Sequence, residues 1–195
     1  MLDAAMVAKA EPILDPKEVV RLNFKALATA DVALARRVVA PDHFNHMAAD
    51  EPPACRTVGL PGFLATGAWL RFAFHELAWE EISILADGDW VSAHMRMSGL
   101  HAGPFVVFPP NQSPEVFPPS GRRFEVRQIH LFRVKNGQTS EHIAVRDDLG
   151  MMTQLGYIPP TPAVGIKLGT WRLMGKSARA IAEATAVAEK EAARA

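Results

Sequence analysis

Apolar positions recur at helical spacing in the first third of the chain and at strand spacing after it. Val20, Phe24 and Leu27 fall at i, i+4 and i+7, one face of a helix. Asp15-Pro16-Lys17-Glu18 stands just ahead of them. Asp15 suits the cap, Pro16 the first helical position and Glu18 the capping-box acid. Asp31 predicts a second helix that runs through Ala40 and stops at Pro41. A third helical stretch runs from about Gly59 to His75, interrupted at Pro61-Gly62, with Trp69, Phe72 and Leu77 as its apolar stripe.

After Leu77 the period drops to two. Trp79 to Ala86 and Trp90 to Ser98 flank Asp87-Gly88-Asp89, and Phe124 to Val134 and Gln138 to Val145 flank Asn136-Gly137. Both turns are hairpin signals. The proline-rich stretch Pro104 to Gly121 lies between the hairpins and is unsuited to a central strand. Asp148 to Leu155 reads as a short closing helix. Three helices followed by an antiparallel meander predict an α+β domain with the helices on one face of a curved sheet. The expected division is 1–156 for this domain and 157–195 for an extension. The extension reads as a proline-rich linker, Tyr157 to Pro162, and an alanine-rich helix, Trp171 to Ala195, whose thin apolar face docks on the domain or on a partner subunit.

Composition narrows the function. The chain has 195 residues, with Lys plus Arg and Asp plus Glu equal at 21 each. That balance and the absence of a basic stripe argue against nucleic acid. No run reaches the length of a membrane span, and Met1 to Asp15 lacks the pattern of a secretion signal. The single cysteine, Cys55, fits a reducing cytoplasm.

Strand alternation assigns candidate chemistry to faces. Phe124, Val126, Gln128, His130, Phe132 and Val134 share one face. Met95, Met97, Gly99 and His101 share another, and Ile143, Val145 and Asp147 a third. If these are one concave surface, His101, His130, Gln128 and Asp147 meet in an apolar pocket of the kind that holds a small molecule. Asp147, at the end of an apolar strand, is the candidate general base. It has a plainer reading as a helix cap or as a partner of Arg146 or Arg127. Asp148 is the better cap by position. His130 likewise reads as a core histidine bonded to a carbonyl. Asn45 and His46, in the cluster Asp42 to Met47, are candidate donors to a substrate oxygen. His43 and His46 stand at a metal-compatible spacing but lack further ligands, so no metal is expected.

As a set, four segments resemble the SnoaL-like polyketide cyclases of the nuclear transport factor 2-like superfamily. They are Phe44-Asn45-His46; Asp87-Gly88-Asp89 with Gly99-Leu100-His101-Ala102-Gly103; Ile129 to Val134 with Asn136-Gly137; and Glu141 to Asp147 with Gln154-Leu155-Gly156. The likeness covers Pro16 to Gly156. Ile143 departs from the family's usual Trp. The resemblance implies a cone-shaped α+β barrel of a curved antiparallel sheet with N-terminal helices packed on it. It implies a deep apolar pocket, a homodimer or larger homo-oligomer, and no metal or organic cofactor. It implies an intramolecular aldol cyclisation of a small apolar polyketide, with Asp147 as acid/base residue, His130 as its catalytic partner, and His101, His46, Asn45, Gln128, Met97 and Phe132 around the substrate. Isomerisation or epoxide hydrolysis in the same pocket, or a non-catalytic binding or assembly domain, are the alternatives.

Overall fold

Local signals fix the first elements as expected. A computed structural model describes residues 14–195; most of the Met1 to Asp15 segment, read as carrying no secretion signal, lies outside the described residues. Helix α1 (Pro16–Thr29) is capped by Asp15, whose side chain accepts the Lys17 N–H. Asp31 accepts the Leu34 N–H at 2.9 Å and caps α2 (Val32–Val38). That helix is shorter than expected. The chain turns at once into strand β1 (Val39–Asn45), where the polar pattern predicts no strand. Pro41 is tolerated because β1 is an edge strand, where a missing N–H costs little. The pairing of β1 with its neighbour is irregular between Val39 and Phe44, the stretch that contains Pro41.

Helix α3 (Leu60–Ala73) leads directly into β2 (Phe74–Asp87), which pairs with β3 (Trp90–His101). Within the proline-rich stretch, β4 (Phe105–Val107) and β5 (Glu115–Phe117) form a separate two-stranded sheet. Strands β6 (Arg123–Lys135) and β7 (Gln138–Arg146) complete the main sheet, in the order β1-β7-β6-β3-β2. Asn136 and Gly137 both have positive φ, which a tight turn between twisted strands demands. All neighbours are antiparallel except β1 and β7, which run parallel. The fold class is α+β as expected, but the sheet is mixed at one edge.

Side chains on β3 and β6 alternate strictly between buried and outward positions. The buried face meets α1 and α3. Phe24 of α1 stands edge-on to His130 and Phe132, with ring centroids at 5.0 and 5.6 Å. Burying an aromatic or large aliphatic side chain of this kind contributes about 1.5–3 kcal/mol. A second part of the core joins α3 to the small sheet, where the Trp69 indole N–H donates to the Val106 carbonyl at 2.8 Å.

Helix α4 (Asp148–Leu155) ends at Gly156, whose φ of 84° suits glycine. The linker is shorter than expected, because α5 (Pro162–Leu173) begins at its last proline. The extension then doubles back. In α6 (Lys176–Ala192), Ala180, Ala184 and Ala188 are buried one turn apart against the core that holds Ala65 and Trp69. The apolar face is thin, yet small side chains let α6 approach α3 closely, and the docking is within the chain.

Candidate active site

A cavity of about 300 Å³ lies between α1, α3 and the buried face of the sheet. Phe24, Trp69, Trp79, Met97 and Phe132 give it an apolar wall. Five of the expected site residues line it: Asn45, Met97, Gln128, His130 and Phe132. His101, His46 and Asp147 do not.

The reason for Asp147 is strand parity. Gln128 stands opposite Arg146, His130 opposite Ala144 and Phe132 opposite His142. The inward row of β7 is therefore His142, Ala144 and Arg146. Ile143, Val145 and Asp147 belong to the other row, and Val145 is 75 % exposed. The expected orientation of Asp147 is thus reversed. So is the expected division of labour with its neighbour. Asp147 accepts the Gly150 N–H at 2.8 Å and caps α4, whereas Asp148 lines the cavity and lies 3.3 Å from Arg146.

His101 is fully buried at the far end of β3, between Phe74 and Tyr157. Its Nδ1 bonds the Ser120 hydroxyl at 3.1 Å and lies 3.3 Å from the Ser120 N–H. Burial, and then the Lys167 charge, push it down to about 4. It is a core histidine. His46 sits partly exposed at the surface, 3.5 Å from the Glu141 carboxylate. His43 turns inward instead and bonds the Thr139 carbonyl through Nδ1 at 3.0 Å. His43 and His46 do not converge, and no group of three or more potential metal ligands stands together among the described residues.

Two features of the cavity were not legible in the sequence. The first is Glu51, in the turn after β1. It is 2 % exposed, and the Thr66 hydroxyl of α3 donates to Oε2 at 2.6 Å. Desolvation pushes its carboxyl up to about 7, against the opposing effects of Thr66 and the Arg146 charge. Cys55, beside it, is buried too, and its thiol is driven far up by burial and by Glu51. Arg56 is spent on the carbonyls of Glu51 and Phe108 and does not activate the thiol. A Pro-Pro-rich surface-like stretch carried no signal that Glu51 would be enclosed by α3.

The second feature is a file of polar side chains across the sheet. The Trp79 indole N–H donates to Gln128 Oε1 at 3.3 Å, and Gln128 Nε2 rests on Met97 Sδ at 3.1 Å. His130 bonds Gln128 Oε1 through Nε2 and His142 Nε2 through Nδ1, both at 2.9 Å. His142 bonds Asn45 Oδ1 through Nδ1, also at 2.9 Å. Desolvation, then the Arg146 charge, push His130 down to about 3. His142 is held well below its usual range by desolvation and then by His130. Both rings are neutral near neutrality.

The cavity therefore holds a carboxyl that titrates near neutrality, a cation in Arg146, and a buried polar file, all within an apolar wall. That is the equipment of proton transfer on a carbon acid followed by stabilisation of the resulting oxyanion.

Comparison with known proteins gives relatives of one kind. The SnoaL-like polyketide cyclase profile matches residues 17–155. The chain is 34 % identical over 146 residues to the aklanonic acid methyl ester cyclase DauD of Streptomyces sp. (strain C5), covering 74 % of this chain and 84 % of that one. It is 34 % identical over 99 residues to the nogalonic acid methyl ester cyclase of Streptomyces nogalater, covering 50 % of this chain and 67 % of that one. Among solved structures, TsrD from Streptomyces laurentii superposes with a TM-score of 0.61 at 24 % identity, over 74 % of this chain and 99 % of that chain. A SnoaL-like polyketide cyclase from Agrobacterium tumefaciens gives 0.57 at 14 %, over 73 % and 99 %.

Proposed function

This chain belongs to the SnoaL-like polyketide cyclase family, and on that premise we propose that it closes a ring in the methyl ester of a polyketide acid by intramolecular aldol addition. The cyclase relatives carry the substrate class, since DauD and the enzyme of Streptomyces nogalater are both named for methyl esters of polyketide acids. The acid/base role, expected of Asp147, passes to Glu51.

The observation that carries this assignment is the Glu51 carboxyl, sunk in the cavity with the Thr66 hydroxyl on one oxygen. A carboxyl poised near neutrality is matched to the task of taking and returning a proton. Ionised Glu51 removes a proton from a carbon flanked by carbonyls. The enolate carbon attacks a carbonyl carbon of the same molecule, and a carbon–carbon bond forms as the carbonyl π pair moves to oxygen. Protonated Glu51 then returns the proton to the new alkoxide, so the reaction is balanced and redox-neutral. Arg146 supplies positive charge to the oxyanion. Positioned proton transfer contributes about a hundred- to ten-thousand-fold, and holding the chain folded in the cavity supplies the rest.

The reading includes a cytoplasmic homo-oligomer. The single cysteine supports the compartment. Ile129 and Val145, exposed on the outer sheet face, support assembly. No described helix is long and apolar enough to cross a membrane. The test is direct: purified protein is incubated with aklanonic acid methyl ester and with nogalonic acid methyl ester, and ring-closed product is followed by chromatography. Failure to convert either ester would overturn the substrate assignment.

A further inference from the structure

The polar file from Trp79 to Met47 can be counted proton by proton. At one end the Trp79 indole N–H, a donor only, points at Gln128; at the other the Met47 backbone N–H, also a donor only, points at Asn45 at 3.0 Å. Each fixes an amide oxygen, not nitrogen, toward the histidines. Between those two oxygens stand four ring nitrogens and three links, Gln128 to His130, His130 to His142, and His142 to Asn45. All three links are 2.9 Å long, the length of a bond that holds a proton. Two neutral imidazoles bring two protons. One link must go without, unless the pair carries a third proton and a positive charge.

Nothing in the file supplies a counter-charge for that third proton. The charged and titratable groups around it are Arg146 on β7, His43 on β1 and His46 beyond it, all of which oppose protonation of His142. Asp50, Glu51 and Asp148 line the same cavity, but Asp50 and Asp148 face Arg146 at 3.7 and 3.3 Å and Glu51 faces Thr66. Arg146 adds an independent observation. Its Nε is buried with no acceptor among the described residues, on a side chain that lines the cavity. Both defects, a missing proton and a donor without an acceptor, lie on side chains that line the one cavity.

We infer that the cavity is built to receive an anionic oxygen at Arg146, and that the His130–His142 pair takes up one proton as that anion binds. This rests on the cyclase reading and deepens it. A polyketide ester enters uncharged, and the anion answered by the pair is its enolate. The negative charge moves from Glu51 to the enolate at Arg146; the file takes one proton from solvent, its third link closes, and that proton returns to solvent once Glu51 has protonated the alkoxide. Asn45, Gln128 and His142 are positioning residues in this arrangement, because the file acts through the charge it sets and not through contact with the reacting carbon.

Calorimetry with 1,8-dihydroxyanthraquinone-3-carboxylate tests the inference, with its neutral methyl ester as control. Titrations in two buffers of different ionisation enthalpy report protons exchanged. The carboxylate is expected to bind with uptake of about one proton per site and the ester with none. In His142→Gln, an amide N–H fills the link to His130 without an added proton, so the carboxylate should still bind but its proton uptake should vanish. Arg146→Gln should weaken the carboxylate by about tenfold more than it weakens the ester. Binding of the carboxylate without proton uptake, or uptake that survives in His142→Gln, overturns the inference. The free protein gives a test independent of any ligand. Asn45→Asp places a negative oxygen at the end of the file, and nitrogen NMR of the two rings near neutral pH should then count three protons against two in the parent. A count of two in Asn45→Asp overturns the inference even where neither anthraquinone binds; that failure of binding bears on the aromatic-polyketide reading.

Discussion

Thr66 donates its hydroxyl to the Glu51 carboxylate at 2.6 Å across the turn-to-α3 junction, and this contact sets the chemistry of the cavity. The Thr66 hydroxyl, with the weaker effects of the Arg146 charge and the Cys55 thiol, does not offset the desolvation of the carboxylate, so Glu51 stays near its titration point. A paired cation would have driven it far into the ionised range.

Glu51→Gln keeps the shape and the bond to Thr66 but cannot exchange a proton. We expect kcat to fall by about a hundredfold or more, with a circular dichroism spectrum and melting temperature close to the parent's. Retention of more than a tenth of the parental kcat would remove Glu51 from the mechanism.

Stability should rise from mildly acidic to neutral solution, with Glu51 opposing that trend. Glu51 has its folded value raised from 4.5 to about 7. The native state therefore holds a proton that the unfolded state releases, and stability is lost as pH rises from the unfolded value through the folded one, by about 3 kcal/mol in total. The buried histidines act in the opposite sense to Glu51 and outnumber it. His130 is lowered from 6.5 to about 3 and His101 to about 4, and His142 and His43 are lowered too, so the unfolded state takes these protons first and stability is lost as pH falls below the unfolded value. In urea unfolding from about pH 5 to about pH 8 the parent should gain stability as pH rises, and Glu51→Gln, which removes the opposing loss, should gain it more steeply.

The two neighbouring aspartates should separate cleanly. Asp147→Ala removes the cap of α4 and should cost about 1 kcal/mol of stability with turnover unchanged, while Asp147→Asn, which can still cap, should do neither. Asp148→Asn leaves the cap intact and releases Arg146, so kcat/KM should drop by about tenfold through lost positioning. Steady-state kinetics and thermal melts of the same three variants decide this. Loss of turnover in Asp147→Asn would restore the strand-end carboxylate as the base.

Helix α6 should be part of the stable fold and not a detachable tail. Ala184 is fully buried against α3, so Ala184→Leu must overpack the contact and cost about 1–3 kcal/mol. Ala186→Leu, at an exposed position on the same helix, is the control and should melt with the parent. Equal melting temperatures for Ala184→Leu and the parent would show that the docking contributes nothing.

How much of this was legible in the sequence differs from element to element. The caps at Asp15 and Asp31 were readable because capping is settled by a few adjacent residues. So were the Asn136-Gly137 turn and the inward rows of β3 and β6, where only one face is apolar. β1 was not, because a strand that contains Pro41 and three polar residues forms only where a neighbour offers a parallel edge. Asp147 was misplaced for a related reason. The large apolar side chains of β7, Ile143 and Val145, lie on its outward row while the inward row is His142, Ala144 and Arg146, so hydrophobicity pointed to the wrong row, and a shift of one residue exchanges the rows.

The sequence by itself determined the family, the α+β class, the hairpins and the presence of His130, Gln128 and Asn45 on the cavity wall, since these follow from local periodicity and short motifs. The tertiary structure alone decided that Glu51 is enclosed, that His142 and Arg146 face the cavity, and that α6 returns to cover α3. Burial of a charge and convergence of side chains depend on which distant segments pack together, and that information is spread over the whole chain.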